Sequence, residues 1–598
     1  MTNRPKCVLD IECYTNYFLI AIKSIENGKV VNFERSTWSE FDVEQLKAIL
    51  SKYTIVTFNG KRYDLLLLKG AIANFDNQLL KDLSDDIIVN DLKAWDAESN
   101  YSLPKCKYID HIDLIDVAPG KASLKIYGGR LHSKRMQDLP IEPSALINFD
   151  ERELLGSYCI NDLDTTIDLY TRLKSQIALR EQMGVEYSID LRSKSDAQIA
   201  EAVIKKQIEA IKGERVFRPE LPKDFSFKYV APPFIKFSHP DFQRALGVFT
   251  TQPFTLDEKG NVLEPEGVNK LKVALGSSEY QLGIGGIHSC EKKVHYLSDQ
   301  DYMVIDRDVT SYYPNIILSQ QLYPKHIGKD FLTVYKNLVD KRIKAKREGN
   351  KVVNESLKVT INGSFGKFGS RWSALYGPNL LIQTTVTGQL CLLMLIETIE
   401  ACGIRVVSAN TDGIVIYCPV KNKALLDQVI AQWEQTTGFN TEETLYTAIY
   451  SRDINNYLAL KPDSSYKSKG TYADAELSKT PTAQICTQAV IDYLQLDIPI
   501  STTIKMCSDI RQFVSVRSVT GGAVKGDKYL GKAVRWYYAT NETGAINYKK
   551  NGNKVAMTDG AIPLMNLPDS IPDNLDRTWY VTKSELILKD LGIVLYNT

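Results

Sequence analysis

The chain has 598 residues, several times the size of a typical domain, so we expect three or more cooperating substructures. Lysine and arginine number 73 against 72 aspartates and glutamates, which excludes a global basic signature of nucleic-acid binding and leaves only local basic surfaces. The ten cysteines include no C-x-x-C pair and no histidine at zinc-ligand spacing, which argues against structural zinc and favours free thiols in a reducing cytoplasm.

The sequence predicts a soluble protein. Its N-terminal segment reaches Asp10 without an apolar core long enough for a signal peptide. No segment is expected to approach the length of a membrane span. We therefore expect a cytoplasmic protein that does not contact a membrane.

A short acidic strand is the first candidate functional element. Residues 8–13 alternate like a β-strand, and this period places Asp10 and Glu12 on the same face. Acidic pairs on strands are most often solvated faces. The pair therefore predicts a site only if further acids join it.

Two later segments supply such acids. A second apolar strand run, 53–58, is followed by Asn59 and a turn into a helix that opens with Asp64. An acid at that place is by itself most often a helix cap or a complement to the helix dipole. A third segment is a predicted helix on which Tyr158 and Asp162 share one face, the ordinary arrangement of a core tyrosine beside a surface aspartate.

Taken in order, these segments resemble the three motifs of the 3'→5' exonuclease domain of proofreading DNA polymerases. Hydrolysis of a phosphodiester by two metal ions needs clustered carboxylates and a group that orients water. The resemblance implies that Tyr158 orients the water and that Phe58 and Asn59 bind the frayed 3' strand. It also implies a lysine, which the stretch around Arg130 and Lys134 does not identify. The implied metal ligands are Asp10, Glu12, Asp64 and Asp162.

A predicted buried strand, 302–308, ends in D-V-T-S-Y-Y-P. This segment resembles motif A of family B DNA polymerases, D-x-x-S-L-Y-P, with Tyr312 where leucine is usual. The resemblance implies that Asp308 binds both catalytic magnesium ions and that Ser311 contacts the triphosphate. Tyr313 would exclude a 2'-hydroxyl by steric repulsion and so select deoxynucleotides.

Residues 357–366 resemble motif B of the same family, K-x-x-x-N-S-x-Y-G. Helical spacing aligns four of its residues in one stripe: Lys358, Asn362, Phe365 and Gly366. The resemblance implies that Lys358 positions the leaving pyrophosphate and that the others test the nascent base pair. Phe365 and Gly363 stand where tyrosine and serine are usual, so fidelity is expected to differ from the family norm.

A cationic run, 341–347, places five lysines and arginines in seven residues. Such a run is usually a solvated helix face. Its place between motifs A and B, with Gly349 and Asn350 turning into the next helix, favours instead the fingers hairpin of a polymerase. Arg342 is the predicted triphosphate contact.

Two apolar strand runs are joined by the tight turn Asn410–Gly413. An ordinary surface hairpin would have the same pattern, but the turn follows motifs A and B in order and resembles motif C, Y-x-D-T-D-S. Asn410 and Gly413 stand where aspartate and serine are usual. The resemblance implies that Asp412 binds metal together with Asp308.

Other segments resemble family elements that contact DNA. A glycine-rich segment resembles the Y-x-G-G linker motif, with Gly283 in place of tyrosine, and two segments after motif C resemble K-x-Y and a lysine-glycine element near the primer terminus. Asn455 replaces the first lysine, which leaves one primer contact in doubt. The implied DNA-binding residues are Gly285, Gly286, Tyr457, Lys467 and Lys469.

The resemblance implies a multidomain α/β and α+β fold, with a ribonuclease-H-like exonuclease domain followed by a right-hand polymerase. Residues 511–538 interleave basic and aromatic side chains, which suits DNA backbone neutralisation, although an amphipathic strand pair would show the same pattern. The predicted domains are exonuclease 1–180, connecting region 181–280, palm 281–318 and 371–450, fingers 319–370, and thumb with C-terminal extension 451–598.

Six motifs in the family order predict a replicative DNA-dependent DNA polymerase of the bacteriophage type, with intrinsic 3'→5' exonuclease. The implied ligands are primer-template DNA, dNTPs and two Mg²⁺ per active site, with Mn²⁺ as a substitute. Only 50 residues separate Asp308 from Lys358 and 54 separate Lys358 from Asp412, which leaves little room for the insertions of protein-primed relatives. We therefore expect RNA or DNA primers, help from a helicase, single-strand-binding protein or clamp, and a monomer in the bacterial host cytoplasm.

Three alternatives remain open at the level of sequence. A reverse transcriptase or primase-like enzyme would share the two-aspartate palm, but the exonuclease half and Tyr313 argue against it. A non-catalytic nucleic-acid-binding relic is suggested by Asn410 and Asn455, against which stand the retained acids of both halves. The third is a nuclease whose polymerase half has decayed.

Overall fold

The computed structural model describes residues 4–593, so the outer limits of the first and last predicted domains, 1 and 598, lie outside the described residues. The described residues form two compact units, each assembled from separate segments. Unit 1 runs up to Ser195 and also contains Asp474–Ala489 and Ile498–Lys583. Unit 2 contains Asp196–Ala473, Val490–Asp497 and the chain from Ser584 onward.

Both units mix helices and sheets, which confirms the mixed α/β, multidomain class. The range predicted as thumb and C-terminal extension, 451–598, is divided between the two units. The predicted boundaries of palm, fingers and thumb stay predictions.

The described residues contain the following β-strands: β1 Lys6–Cys13, β2 Phe18–Ser24, β3 Val30–Arg35, β4 Thr54–Thr57, β5 His111–Asp113, β6 Thr255–Leu256, β7 Val262–Leu263, β8 Lys272–Leu275, β9 Ser278–Gln281, β10 His288–Ser289, β11 Val294–Leu297, β12 Tyr302–Val309, β13 Arg405–Asn410, β14 Gly413–Pro419, β15 Thr441–Tyr446, β16 Ala448–Asp453, β17 Asn456–Leu460, β18 Tyr466–Ser468, β19 Ser515–Lys525, β20 Lys528–Tyr538, β21 Asn547–Tyr548 and β22 Ala561–Pro563.

The α-helices of the same residues are α1 Val43–Lys52, α2 Asp64–Ile72, α3 Asn77–Ile88, α4 Ala94–Asn100, α5 Leu124–Arg130, α6 Glu151–Arg172, α7 Lys174–Tyr187, α8 Asp196–Lys212, α9 Pro240–Thr251, α10 Tyr312–Ser319, α11 Asp330–Arg347, α12 Lys351–Lys367, α13 Pro378–Ala401, α14 Lys423–Thr437, α15 Gln484–Leu496, α16 Ile500–Met506 and α17 Arg577–Asp590.

Strand β1 is the centre of a five-stranded sheet in unit 1, with the order β3-β2-β1-β4-β5. It runs antiparallel to β2 and parallel to β4. Its side chains alternate between two hydrophobic clusters, so that Leu9 and Ile11 pack with α2 while Val8 packs with α6. Asp10 and Glu12 share the period of Val8 and therefore face α6, as the alternation predicted.

A second sheet in unit 1, β21-β19-β20-β22, is built on the hairpin of β19 and β20. Its aromatic side chains Trp536, Tyr537 and Tyr538 are buried. Arg535 is fully buried as well, and its guanidinium donates to the carbonyl oxygens of Ser133 (2.9 Å) and Leu564 (2.8 Å). The amphipathic strand pair is therefore the correct interpretation of residues 511–538, and these aromatic side chains belong to the protein core.

Unit 2 is organised around a seven-stranded sheet of order β15-β12-β14-β13-β10-β9-β8. Strands β12 and β14 are antiparallel, and their register sets Asp308 opposite Gly413. Helix α13 packs on this sheet through Leu390 and Ile396, which belong to the main hydrophobic cluster of the unit. The sheet thus holds the residues of motifs A and C at the same end.

Helix α11 carries the cationic run between motifs A and B, and the chain then turns into α12, which carries motif B, as the sequence predicted. Gly349 has φ +69° in the connecting turn, and the side chain of Asn350 caps α12 by accepting from the Val353 amide (3.2 Å). A Cβ at Gly363 would lie only 2.7 Å from the Asp196 carbonyl oxygen, which shows that α12 packs closely on α8. This close approach explains the glycine where motif B usually has serine.

Helix α13 corrects one expectation. Its 24 residues are long and apolar enough to cross a membrane, although we expected no segment of that length. Within unit 2, however, 78% of its most apolar window is buried by protein. This is the environment of a core helix, and its apolar composition follows from contact with other elements on all sides.

Candidate active sites

Four acids of unit 1, Asp10, Glu12, Asp64 and Asp162, form what we call the N-terminal acidic cluster. Asp10 and Glu12 lie on β1, Asp64 opens α2, and Asp162 lies on α6. The charges of Asp10, Asp64 and Asp162 each raise the pKa of at least one other member, and all three raise that of Glu12. The structure therefore brings together all four acids that the sequence predicted as ligands.

Burial dominates the electrostatics of this cluster. It raises the pKa of Asp10 to about 7, with the charge of Asp162 adding to the rise, and it raises the pKa values of Glu12, Asp64 and Asp162 as well. Within residues 4–593 no lysine or arginine forms an ion pair with these acids. Divalent cations such as Mg²⁺ prefer oxygen ligands, so a bound cation would offset the repulsion between these carboxylates.

Helix α6 brings a tyrosine and a cysteine to the cluster. Tyr158 forms a hydrogen bond with Asp162, and Cys159 Sγ donates to Asp10 Oδ2 (3.4 Å). The donor atoms of Asp10, Glu12 and Cys159 lie within 4.8 Å of one another. Cys159 was not predicted at the site, although its spacing of three from Asp162 places both on one helix face.

Lys125, on α5, is a lysine beside the acidic cluster that sequence analysis did not name. Its Nζ lies 5.1 Å from the ring centroid of Tyr158 and 2.5 Å from Asp138 Oδ1. Burial raises the pKa values of the acidic cluster, and the positive charge of Lys125 partly opposes that rise. Arg130 donates to the Leu477 carbonyl oxygen (2.6 Å).

The turn between β4 and α2 holds Phe58 and Asn59. Asp113 fixes this turn by accepting from the amides of Asn59 (2.8 Å) and Lys61 (3.0 Å). Asn59 has φ +70°, and its Oδ1 is buried without a hydrogen-bond partner among the described residues. Phe58 packs edge-on against Tyr127 with ring centroids 5.7 Å apart. The unsatisfied amide oxygen leaves Asn59 an acceptor for a ligand.

In unit 2, motifs A and C place Asp308 and Asp412 at one end of the sheet. Asp308 lies near the end of β12, and Asp412 lies in the turn between β13 and β14. The Val309 amide donates to the Asp412 carbonyl oxygen (2.7 Å), and the Thr411 amide donates to that of Ile287 (2.9 Å). These bonds hold the turn that carries Asp412 against the strand that carries Asp308.

This second site contains its own cation. Lys467 Nζ lies 3.2 Å from Asp306 Oδ2 and 3.7 Å from Asp308 Oδ2. Burial raises the pKa of Asp308 to about 6, an effect to which Asp306 adds and which Lys467 opposes. Burial also raises the pKa of Asp412. The lysine balances part of the negative charge and leaves oxygen donors for added cations.

The departures from motif C have structural causes. Asn410 Nδ2 donates to the Ile454 carbonyl oxygen (3.3 Å), and its Oδ1 accepts from the Thr411 hydroxyl (3.2 Å), so the amide stabilises the turn. A Cβ at Gly413 would overlap Asp308 Oδ1. Glycine at position 413 is therefore required by the observed position of the Asp308 carboxylate.

A pocket of about 240 Å³ joins motifs A, B and C in unit 2. Arg342 Nη1 donates to Ser311 Oγ (3.1 Å), and the rings of Tyr313 and Phe365 lie 4.5 Å apart. Tyr312, where leucine is usual, is buried and donates through its hydroxyl to a carbonyl oxygen of α13. The predicted nucleotide contacts that line this pocket are Ser311, Tyr313, Arg342, Asn362 and Phe365.

Lys358 and Gly366 lie outside the lining of that pocket. Both are exposed on α12 on the same stripe as Asn362, as the helical spacing predicted. Lys358 Nζ is 3.9 Å from Glu355 Oε2, and about half of its side chain is exposed. An ion pair this long and exposed contributes little, so the lysine is free to contact a ligand.

Three of the predicted DNA contacts lie beside the carboxylates of unit 2. Tyr457, Lys467 and Lys469 line a cleft of about 370 Å³ that also contains Asp308 and Asp412. The sequence therefore located this group correctly, although it did not anticipate the ion pairs of Lys467. Binding of DNA by these residues stays a prediction.

Gly285 and Gly286 lie next to the motif C turn within unit 2. Gln389 Nε2 donates to the carbonyl oxygens of Gly283 and Gly285 (2.8 Å each). A Cβ at Gly286 would lie 2.7 Å from Thr411 Oγ1. This close packing explains the glycine at position 286, whereas a Cβ at Gly285 would meet nothing within 4 Å. The role of both glycines in guiding template stays a prediction.

Comparison with known proteins gives partial matches to DNA polymerases, while no protein-family model matches the chain. The chain is 27% identical to DNA polymerase 1 of Sulfolobus acidocaldarius over 124 residues, which cover 20% of this chain and 14% of that protein. It is 30% identical to DNA polymerase 1 of Aeropyrum pernix over 132 residues, covering 22% and 13%, and 27% identical to DNA polymerase II of Escherichia coli over 121 residues, covering 19% and 15%.

A solved structure of the family B DNA polymerase from Pyrobaculum calidifontis aligns with 100% of this chain and 79% of that polymerase, with a TM-score of 0.41 and 14% identity. The sequence matches span only about a seventh of the length of the relatives. Over about a fifth of its length, the chain is thus similar in sequence to these DNA polymerases.

Proposed function

We propose that this protein is a DNA-dependent DNA polymerase with an intrinsic 3'→5' exonuclease. The position of Asp412 carries the polymerase proposal, because this residue lines both the cleft that contains Asp308 and Lys467 and the pocket that contains Tyr313 and Arg342. A primer end in the cleft and a nucleotide in the pocket would meet at this carboxylate. Bond formation between them is the reaction that this arrangement favours.

Divalent cations fit both acidic sites. Asp308 and Asp412 offer the carboxylate oxygens that Mg²⁺ prefers, and burial disfavours their charged forms without a cation. We propose that this pair and the N-terminal acidic cluster each hold two Mg²⁺, for which Mn²⁺ can substitute. When bound, such ions neutralise phosphate charge and favour an ionised hydroxyl or water nucleophile.

The pocket residues would select and orient a deoxynucleotide. Tyr313, whose ring lies 4.5 Å from that of Phe365, would form the wall that excludes a 2'-hydroxyl. Arg342, already bonded to Ser311, would bind the triphosphate with charge-assisted hydrogen bonds. Lys358 would support the leaving pyrophosphate. These contacts hold the nucleotide in place before the bond forms.

In the nuclease reaction, the buried N-terminal acidic cluster would hold the cations beside the scissile phosphate. The sheet order β3-β2-β1-β4-β5 supports the predicted ribonuclease-H-like domain. Tyr158 would orient the attacking water, and Lys125 would place positive charge near the phosphate. Phe58 and Asn59, with its unsatisfied Oδ1, would bind the terminal nucleotides of a single strand.

We also propose a replicative role in a bacteriophage. In this role the protein extends RNA or DNA primers with help from a helicase, single-strand-binding protein or clamp. Helices α10, α11 and α12 occupy most of the interval from Asp308 to Lys358, and α13 fills much of the interval to Asp412. These helices leave only short connecting segments in both intervals, which supports the absence of inserted priming or strand-displacement subdomains. Action as a cytoplasmic monomer belongs to the same proposal.

Primer extension tests the two reactions together. The purified protein is incubated with Mg²⁺ and a labelled primer on a longer DNA template, with and without dNTPs. Asp412→Ala and the double variant Asp10→Ala/Glu12→Ala are tested in parallel. The wild type should lengthen the primer with dNTPs and shorten it without them, and each variant should lose only its own reaction.

Shortening without extension would contradict the polymerase and leave a nuclease with a decayed palm. Neither reaction would indicate a binding relic. Extension on RNA templates in preference to DNA templates would favour a reverse transcriptase. A matched reaction with rNTPs tests the steric role of Tyr313, because the wild type should extend poorly with them and Tyr313→Ala should extend better.

A further inference from the structure

The hairpin of β19 and β20 lies in unit 1 together with the N-terminal acidic cluster. Tyr529 is the second residue of β20, next to the hairpin tip. With Leu530 it lines a pocket of about 350 Å³ whose other walls include Asp138, Leu139 and Tyr158. A segment near the C-terminal end of the chain therefore reaches the surroundings of a predicted nuclease residue.

A continuous series of contacts joins the hairpin to the cluster. The Tyr529 hydroxyl donates to Asp138 Oδ2 (2.8 Å), and Lys125 Nζ donates to Asp138 Oδ1 (2.5 Å). Lys125 Nζ then lies 5.1 Å from the ring centroid of Tyr158. Because each oxygen of Asp138 has a partner, the carboxylate is held at both ends.

The surroundings of this series are also fixed. Burial would raise the pKa of Asp138, but the hydrogen bonds from Lys125 and Tyr529 hold it below its ordinary value. Gly531 has φ +93°, and a Cβ there would lie 2.8 Å from Asp138 Cβ, so the β20 backbone lies directly against this residue. Lys549 Nζ lies 4.6 Å from the ring centroid of Tyr529. The hydroxyl of Tyr529 thus has little freedom to leave Asp138.

We propose that Tyr529 is a positioning residue for the nuclease reaction, which holds Lys125 beside the N-terminal acidic cluster through Asp138. This inference rests on the proposed exonuclease. Lysine has a flexible four-carbon stem, and its charge acts at a phosphate only when the stem is held in one arrangement. The C-terminal hairpin is accordingly a working part of the nuclease site.

The variant Tyr529→Phe tests the proposal because it removes only the hydroxyl. We expect kcat for degradation of a single-stranded oligonucleotide to fall roughly three- to tenfold, the factor that one ordinary hydrogen bond supports, with little change in KM. The rate of primer extension should not change. In a Lys125→Ala background the same substitution should have no further effect, since the residue through which it acts is gone.

Tyr537→Phe is the matched control. It lies on the same strand, and its hydroxyl donates to Asn574 Oδ1 (2.9 Å), so the substitution also removes one hydrogen bond to a side chain. It should leave degradation unchanged. Equal effects of the two substitutions, or an undiminished effect of Tyr529→Phe without Lys125, would show a structural role only and overturn the proposal.

The double variant Asp10→Ala/Glu12→Ala separates failure of this inference from failure of the proposed nuclease. If it still degrades DNA at the wild-type rate, the exonuclease assignment fails and the positioning role fails with it. If it is inactive while Tyr529→Phe retains the full wild-type kcat, only the positioning role is refuted.

Discussion

The two carboxylate sites balance their negative charge in different ways. The N-terminal acidic cluster holds two buried acids, Glu12 and Asp64, and two partly buried ones, and within residues 4–593 none of the four is ion-paired with a lysine or arginine. In unit 2, Lys467 lies within 3.7 Å of Asp308 and nearer still to Asp306. Lys125 lies beside the first site but is paired with Asp138, whereas Lys467 is paired with acids of the second site itself.

This difference fits two different tasks. A site that must bind and release a growing primer end benefits from a resident positive charge that offsets its own acids when metal is absent. A site that engages only a frayed strand can remain uncharged until cations bind, since burial raises the pKa of Asp10 to about 7. The predictions below test this contrast, from the largest expected effect to the smallest.

Replacing one acid in each site should have the largest effect. Asp308→Asn should reduce primer extension, and Asp162→Asn should reduce degradation of single strands, each by roughly 10³-fold, because several kcal/mol of charge stabilisation depend on the bound cations. Single-turnover rates with and without dNTPs measure this. A variant that loses both reactions would show that the sites are not separable.

Gly413→Ala should disturb unit 2 without removing an acid. The added Cβ would overlap Asp308 Oδ1 and displace the carboxylate, so extension should fall roughly 10- to 100-fold, as expected for a misplacement of about 1 Å. Gly247→Ala, where a Cβ meets nothing within 4 Å, is the matched control in the same unit. Wild-type extension by Gly413→Ala would refute the steric explanation of this motif departure.

Mg²⁺ should stabilise unit 1 more than unit 2. Cations relieve unpaired buried acids in the first, while Lys467 already offsets charge in the second, and a ligand at 100 times its Kd stabilises a fold by about 2.7 kcal/mol. The double variant Asp10→Asn/Glu12→Gln identifies the unfolding transition of unit 1, because it alters that transition. Calorimetry in EDTA and in Mg²⁺ should show the larger shift of the melting temperature in this transition. An equal shift in both transitions would contradict the contrast.

Acid should weaken unit 1 partly through His111, a smaller effect. Burial lowers the pKa of His111 to about 3, so its neutral form is favoured in the fold. The unfolded chain binds the proton first, and stability should fall as pH decreases from about 6.5 towards 3, by at most about 1.4 kcal/mol per pH unit. Urea denaturation at pH 5 and pH 7.5 measures the free energy of unfolding of the wild type and of His111→Gln. If the wild type loses no more stability at pH 5 than the variant does, the role of His111 is refuted.

Sequence located the strands and helices that carry the acids, because local periodicity is enough to place Asp10 and Glu12 on one face of β1 and Asn362 on the exposed stripe of α12. It did not find Lys125, whose partner Asp138 is in turn bonded to Tyr529, 391 residues further along the chain. Contacts of that separation leave no periodic or motif signal.

Two further differences have physical reasons. The sequence predicted no helix of membrane-spanning length, yet α13 has that length. Its burial as a core helix could not be read from its composition, because core helices and membrane helices are both apolar. Three aromatic side chains of β20, Trp536, Tyr537 and Tyr538, resembled a DNA-binding pattern, but they are buried in the protein core, and no local feature of the sequence separates these cases.

The most direct test of the central claim measures turnover of nucleotide at a fixed primer end. With an unlabelled primer-template and only the next correct dNTP, which carries the label, a protein with both activities should repeatedly add and remove one nucleotide and release labelled dNMP. The account predicts sustained release of labelled dNMP by the wild type and none by either Asp412→Ala, which can remove only unlabelled primer nucleotides, or Asp10→Ala/Glu12→Ala. Labelled dNMP released by Asp412→Ala would contradict synthesis at the unit 2 site, and none released by a wild type that extends primers would contradict proofreading within one chain.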